Sequence, residues 1–277
     1  MSDSTSLEPI LDHIVVLVSY ETLQELPKRL DGLFTVIDGG AHVEGRTVNK
    51  LIIFPDGVYM ELIAFQENLD PERRREHRWG ELEEGEIIDW AYTLPEEKDF
   101  AVIQQQVKDA DDAISYRDPV PGGRTRPDGV ELKWSVASAE ESSGKPLPPG
   151  TAPFWCLDRT PRHLRVPYQQ EGSAAPSYTK HPAHALGVSR VAISVPESDV
   201  SVLTRVYDGI HGASSQAASG GAVWSFAVPS GSTQGKHELS LSTSQDQERH
   251  IAIVFVGDED SPYSIYGFPG LTFECES

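Results

Sequence analysis

The stretch Leu11-Asp12-His13-Ile14-Val15-Val16-Leu17-Val18 opens a unit that closes with Gly57-Val58-Tyr59-Met60-Glu61-Leu62-Ile63-Ala64-Phe65, and the chain writes this unit twice. The second copy opens with Val188-Ser189-Arg190-Val191-Ala192-Ile193-Ser194-Val195 and closes with Gly235-Lys236-His237-Glu238-Leu239-Ser240-Leu241. The copies lie 177 positions apart: Asp31-Gly32 recurs as Asp208-Gly209, His13 falls on Arg190, and Glu61 falls on Glu238. Self-similarity of this kind fixes an architecture before any other signal is read.

Each copy reads as strand, helix and three further strands. Residues 12–18 form a continuous apolar run rich in β-branched side chains, which predicts a buried strand. Ser19 is placed to cap a helix in which Leu23, Leu26 and Leu30 recur at helical spacing up to Asp31-Gly32. Residues 33–38 read as a strand broken by Gly39-Gly40. Residues 47–54 and 58–65 read as two strands joined by the turn Pro55-Asp56-Gly57. In the second copy residues 187–195 form the strand, and Pro196 sits near a helix start. Val200, Leu203, Val206 and Tyr207 make that helix's apolar stripe. Val223 to Val228 and His237 to Leu241 follow as strands, with further strands at 250–256 and 270–274.

Between the copies lie strands at 87–93, 130–137 and 153–158 and a helix at 99–109. Residues 119–129 and 140–150, rich in Pro, Gly, Ser and charge, read as exposed loops, and 168–180 as a linker. The organisation expected is a polar lead-in at 1–10, a first module at 11–66, an insert and linker at 67–180, and a second module with C-terminal strands at 181–277.

Bulk composition narrows the function. A net charge of −20 over 277 residues repels phosphates, so no nucleic-acid partner is expected. The basic run Arg73-Arg74-Arg75-Glu76-His77-Arg78 is flanked by acids and reads as a solvated, self-paired face. No apolar run approaches 20 residues, so no membrane span is expected. The N-terminus lacks a basic start and an apolar core, so it is not read as a secretory signal. Two lone cysteines, Cys156 and Cys275, suit a reducing, cytoplasmic compartment. The glycines form no phosphate-binding loop, and there is no nucleophile elbow, paired-cysteine motif or zinc-protease helix.

Three segments carry a resemblance. They are Leu11-Asp12-His13-Ile14-Val15; Gly45-Arg46-Thr47-Val48-Asn49-Lys50-Leu51-Ile52 with Asp56 to Phe65; and Phe154-Trp155-Cys156-Leu157-Asp158-Arg159-Thr160-Pro161-Arg162 with His181-Pro182 and Gly187-Val188. On these residues the chain resembles the vicinal oxygen chelate superfamily and, within it, the glyoxalase-like domain group. The resemblance implies an α+β fold in which two βαβββ modules form an open, incompletely closed β-barrel, with a long insert between them and the site in the cavity they share. It implies metal ligands on the first and last strands of each module, at His13, Glu61, Arg190 and Glu238. A guanidinium has no lone pair to give, so only His13, Glu61 and Glu238 suit a divalent ion such as Fe, Mn, Ni or Zn. Alternatively, Arg190 pairs with Glu238 or Glu61 and takes over the ion's electrostatic role.

Glu61 is flanked by Met60 and Leu62, so strand alternation points it into the barrel if those two pack under the helix. A buried carboxylate needs a metal, an arginine or its own proton, and the last makes it a general base. Glu61, His13 and Glu238 are therefore the catalytic candidates. Arg46, Asn49, Trp90, Trp155, Arg190 and Trp224 are the candidates for binding substrate. The expected function is a glyoxalase/dioxygenase-like enzyme acting on an oxygen-rich small molecule by metal-assisted or carboxylate-driven proton chemistry. The alternative is a non-catalytic small-molecule binder of the same fold. A homodimer is the assembly to look for.

Overall fold

The first helix begins where the sequence places its cap. Ser19 Oγ accepts from Thr22 N at 3.0 Å, satisfying one free N–H of the helix start. This helix, α1 (Tyr20–Arg29), follows β1 (Ile10–Leu17) and precedes β2 (Ile37–His42), β3 (Thr47–Ile53) and β4 (Tyr59–Phe65). After α2 (Pro71–Arg75), the same order returns in the insert. It runs β5 (Glu86–Thr93), α3 (Phe100–Ala110), β6 (Ile114–Tyr116), β7 (Val120–Thr125), β8 (Glu131–Ala137), β9 (Ala139–Glu141) and β10 (Phe154–Asp158). Strands β6 and β9 pair apart from the rest. The computed structural model describes residues 7–126, 128–169, 176–218, 221–231, 236–257, 264–268 and 271–276. The lead-in at 1–6, the linker centre at 170–175, and Gly220, Gly235 and Gly270 lie outside them.

In both units the first strand runs parallel to the last, β1 with β4 and β5 with β10. Antiparallel pairing of β1 with β5 and of β2 with β7 joins the units into a closed barrel of order β1-β4-β3-β2-β7-β8-β10-β5. This corrects the expected open barrel. Closure comes from the insert and not from the second copy, because consecutive elements tend to pair and closure removes exposed strand edges.

The second copy builds its own sheet. Strand β11 (Ala185–Val195) is followed by α4's successor in the chain, α5 (Glu197–His211), α4 itself being the single turn Arg162–Arg165 after β10. Then come β12 (Gln216–Ala218), β13 (Gly221–Ser225), β14 (Glu238–Thr243), β15 (His250–Gly257), β16 (Ser264–Phe268) and β17 (Leu271–Glu276), in sheet order β12-β13-β14-β11-β15-β17-β16. Strand β11 is parallel to β14, repeating the pattern a third time. The register differs by two residues: Val15 faces Glu61, whereas Arg190 faces Glu238.

Side-chain alternation sorts the barrel into two cores. Ile14, Val16, Met60, Leu62, Trp90 and Trp155 point outward and pack with α1, α3 and the second sheet. Val15, Leu17, Ile63, Phe65, Ala91 and Cys156 point inward. The turn residue Asp56 ties the two sheets together, accepting from Val58 N at 2.8 Å and from Val188 N at 3.0 Å.

Two segments depart from the sequence reading. Strand β2 does not break at Gly39-Gly40 but runs through a bulge there to His42. A Cβ at Gly39 would lie 1.9 Å from Asn49 Oδ1, so a side chain there would displace Asn49 from its place beside Glu61. Residues 119–129 are not simply a loop, since 120–125 form β7. There a Cβ at Gly123 would lie 2.6 Å from the Leu132 carbonyl oxygen. No helix among the described residues is long and apolar enough to cross a membrane.

His181 joins the linker to the barrel and reports on folding. Its Nδ1 accepts from Thr35 N at 3.2 Å and its Nε2 faces the Ile53 carbonyl at 3.0 Å, which fixes a neutral ring. Burial holds it down at about 4 from 6.5, although the Ile53 carbonyl acts the other way. The unfolded chain binds that proton near 6.5, so the contribution of His181 is whole above that pH and is lost as pH falls toward 4. In urea unfolding, the native chain should lose about 3 kcal/mol relative to His181→Gln across this range, at roughly 1.4 kcal/mol per pH unit. A difference that does not change with pH would contradict the assignment.

Candidate functional site

An eight-stranded barrel leaves an interior that side chains fill or that holds one small ligand. Here a cavity of about 250 Å³ remains inside. Four strands of the first unit each supply one residue of a polar group in its lining: His13 from β1, His42 from β2, Asn49 from β3 and Glu61 from β4. Trp79, Trp134 and Phe154 supply much of the apolar lining.

Glu61 is the centre of the polar group and is buried at 5% exposure. The Asn49 amide donates to Glu61 Oε1, and His42 Nε2 lies 3.6 Å from the same oxygen. His13 Nε2 lies 3.7 Å from Oε2. His42 Nδ1 is held by Thr47 Oγ1 at 2.7 Å. Asn49 Oδ1 is buried with no hydrogen-bond partner. Met60 and Leu62 pack on the outer face with Leu23 and Leu26, so alternation turns Glu61 inward.

His13 is aimed from behind. Its Nδ1 lies 3.0 Å from Asp12 Oδ1. Burial disfavours the Asp12 carboxylate, but the Arg162 and Arg165 guanidiniums outweigh it and hold the carboxyl well below its usual range. Arg165 donates to both Asp12 oxygens, at 3.0 and 2.6 Å, and Arg162 to one at 2.9 Å. An ionised carboxylate only accepts, so His13 Nδ1 donates and Nε2 is presented to the cavity. Arg165 also donates to Tyr59 Oη at 2.9 Å and to Asp158 at 2.6 Å, and Tyr59 stacks on His13 with centroids 4.7 Å apart.

The remaining sequence candidates lie elsewhere. Arg190 and Glu238 face each other in the second sheet, with Nε and Oε2 4.0 Å apart, and line no part of this cavity. The insert closes the barrel, so the second copy has no gap through which to reach it. Arg46 pairs with Glu76 at 2.9 Å outside the cavity. Trp90 and Trp155 are fully buried on the outer face with Tyr92 and Phe100. Trp224 packs against Tyr207 and His211 and donates to Asp208 at 2.9 Å.

Sequence reasoning passed over several lining residues. His42 lies beyond the double glycine, and Arg124 lies in the segment read as a loop. His77 and Arg78 belong to the run read as a solvated face. Instead they line the cavity, with Arg78 2.6 Å from buried Asp89. Burial holds the neutral His77 ring down at about 4.

A family model described as a glyoxalase-like domain matches residues 11–207. The chain belongs to that family, within the vicinal oxygen chelate superfamily. The glyoxalase-like chain is similar in structure to a hypothetical protein from Staphylococcus aureus, with TM-score 0.69 and 13% identity over 97% of this chain and 99% of that one. It is also similar to a xylose isomerase-like TIM barrel/4-hydroxyphenylpyruvate dioxygenase fusion protein, with TM-score 0.51 and 10% identity over 92% of this chain and 37% of that one. At these identities the likeness is one of fold. No curated protein matches the glyoxalase-like chain.

Two groupings bear on a metal. Asp12, His13 and Cys156 each bring a ligand atom within 4.8 Å of the others. That trio suits a cation poorly, because two arginines already occupy Asp12 and burial pushes the Cys156 thiol well up. His13, His42 and Glu61 match one in donor type, two imidazoles and a carboxylate, although their ligand atoms do not all come within 4.8 Å of one another. Both Nδ1 atoms are anchored by a neighbour, as metal-binding imidazoles generally are.

The Asp12–Arg165 pair is buried on both sides, at 0% and 3% exposure. Removing one partner of such a pair costs about 3–5 kcal/mol, because the other charge stays buried. Arg165→Met should lower unfolding free energy by about that much in a urea titration. A loss below about 1 kcal/mol would mean that Arg162 alone suffices for Asp12.

Proposed function

We propose that the chain is an enzyme that moves a proton on a small, oxygen-rich substrate in the barrel cavity, with Glu61 as its base. The observation that carries this reading is one buried carboxylate set between two imidazoles, at 3.6 and 3.7 Å, beside space for a ligand. A carboxylate there can take a proton from carbon next to a carbonyl. The C–H electron pair then moves toward the carbonyl oxygen, where an imidazole N–H can meet the charge. Returning the proton to the enolate oxygen completes a keto–enol isomerisation. The tryptophan and phenylalanine walls exclude water from these steps. Asn49 fixes the carboxylate's orientation, and Asp12 that of His13.

A divalent ion of Fe, Mn, Ni or Zn would be held by His13, His42 and Glu61, where it would supply Lewis-acid polarisation of the carbonyl or, as Fe(II), oxygen chemistry. The reading requires nothing of Glu238.

Glu61→Gln keeps the shape and removes the basicity. Screened against α-ketoaldehyde adducts, catechols and enolisable ketones, the variant should lose about two to four decades of turnover. Its melting temperature should stay near that of the parent. Turnover at the parent rate would remove Glu61 from the mechanism. A chain that binds ligands from this set and turns over none would favour the binder.

A further inference from the structure

The cavity holds one cation that the chemistry above leaves unused. Arg124, on β7 directly across the barrel seam from His42, lines the cavity and is 5% exposed. A guanidinium has five N–H donors. Among the described residues Arg124 makes one hydrogen bond, to the Gly39 carbonyl, and no ion pair. The other two guanidiniums on the cavity wall are paired: Arg78 lies 2.6 Å from Asp89, and Arg165 lies 2.6 Å from both Asp12 and Asp158. Burial weighs against this charge and Glu61 acts on it only from beyond ion-pair distance, so this position is suited to an anion that arrives from outside. The cavity wall also carries Trp134, Val120, Val136, Trp79 and Phe154.

We propose that Arg124 anchors the carboxylate of the substrate, and that the substrate class is small organic acids with an apolar or aromatic body. A planar guanidinium matches a planar carboxylate through two parallel N–H···O bonds. One guanidinium balances one charge, which favours a carboxylate over a phosphate ester. The apolar body lies against the tryptophans, and the carbon next to the carboxyl end faces Glu61. A 2-oxo acid meets all three demands, since it adds a carbonyl beside an acidic C–H. This assignment rests on the cavity being the working site, and it concerns binding rather than the proton step.

The test is calorimetric titration of the full chain with phenylpyruvate, phenylacetate, phenylacetamide and phenyl phosphate. In the unmodified chain, phenylacetate should bind at least tenfold more tightly than its neutral amide. Arg124→Gln should shrink that preference to about twofold, and Arg124→Lys should keep part of it. Equal binding of acid and amide by the unmodified chain would overturn the anchor, and that measurement needs no variant to fold. An unchanged preference in Arg124→Gln would also overturn it. Tighter binding of phenyl phosphate than of either acid would overturn the carboxylate assignment. Glu61→Gln separates the two readings: it should keep the acid preference whatever happens to turnover. Loss of turnover without an acid preference would leave the base in place and remove the anchor.

Discussion

Asp12 is fully buried, and its carboxylate is met by two guanidiniums and one imidazole. Much of the barrel depends on this contact. Asp12 stands on β1, Arg162 and Arg165 on the turn after β10, and Tyr59 at the start of β4. The pair therefore fastens the first unit to the insert that closes the barrel. It also sets the functional geometry, because an ionised Asp12 leaves His13 one way to donate and turns Nε2 toward Glu61. Stability and site orientation are the same interaction seen from two sides.

The cavity is chemically lopsided. His13, His42, Asn49 and Glu61 come from the first unit, while the facing strands give Phe154, Cys156, Trp134 and Arg124. A symmetric metal cage would draw equally on both halves, and this barrel does not. The first unit provides reactive groups, and the facing strands provide a largely apolar wall with one guanidinium, Arg124, that no carboxylate among the described residues pairs. That division suits a substrate with a reactive polar end and an apolar body.

Most strands were legible because they obey strong local rules. Strand β4 reads as a nearly continuous apolar run behind a Pro-Asp-Gly turn, and the α1 cap and leucines were plain. The sequence offset pointed to two of the parallel strand pairs, β1 with β4 and β11 with β14, and gave no sign of the third, β5 with β10. In the insert, strand β7 reads Val-Pro-Gly-Gly-Arg-Thr, and the Pro-Gly-Gly at its centre signals a turn and not a strand. Its glycines are there because neighbouring backbone and rings come too close for a side chain, a constraint that exists only in the folded barrel. The same holds for Gly39, whose missing side chain makes room for Asn49 and lets β2 continue to His42. Glu61 was reachable from strand alternation, and His13 from the self-similarity that set it against Glu61. Arg190 and Glu238 were misplaced because sequence offset says which positions correspond, not which units pair.

The central claim is that the working site lies inside the barrel formed by residues 10–65 and 86–158, and not on the second sheet. A crystal structure of the chain grown with saturating phenylpyruvate tests this most directly. The account predicts ligand density in the cavity, with its carboxylate on Arg124 and its body against Trp134. Ordered ligand beside Arg190 and Glu238, with the barrel cavity holding only water, would contradict it.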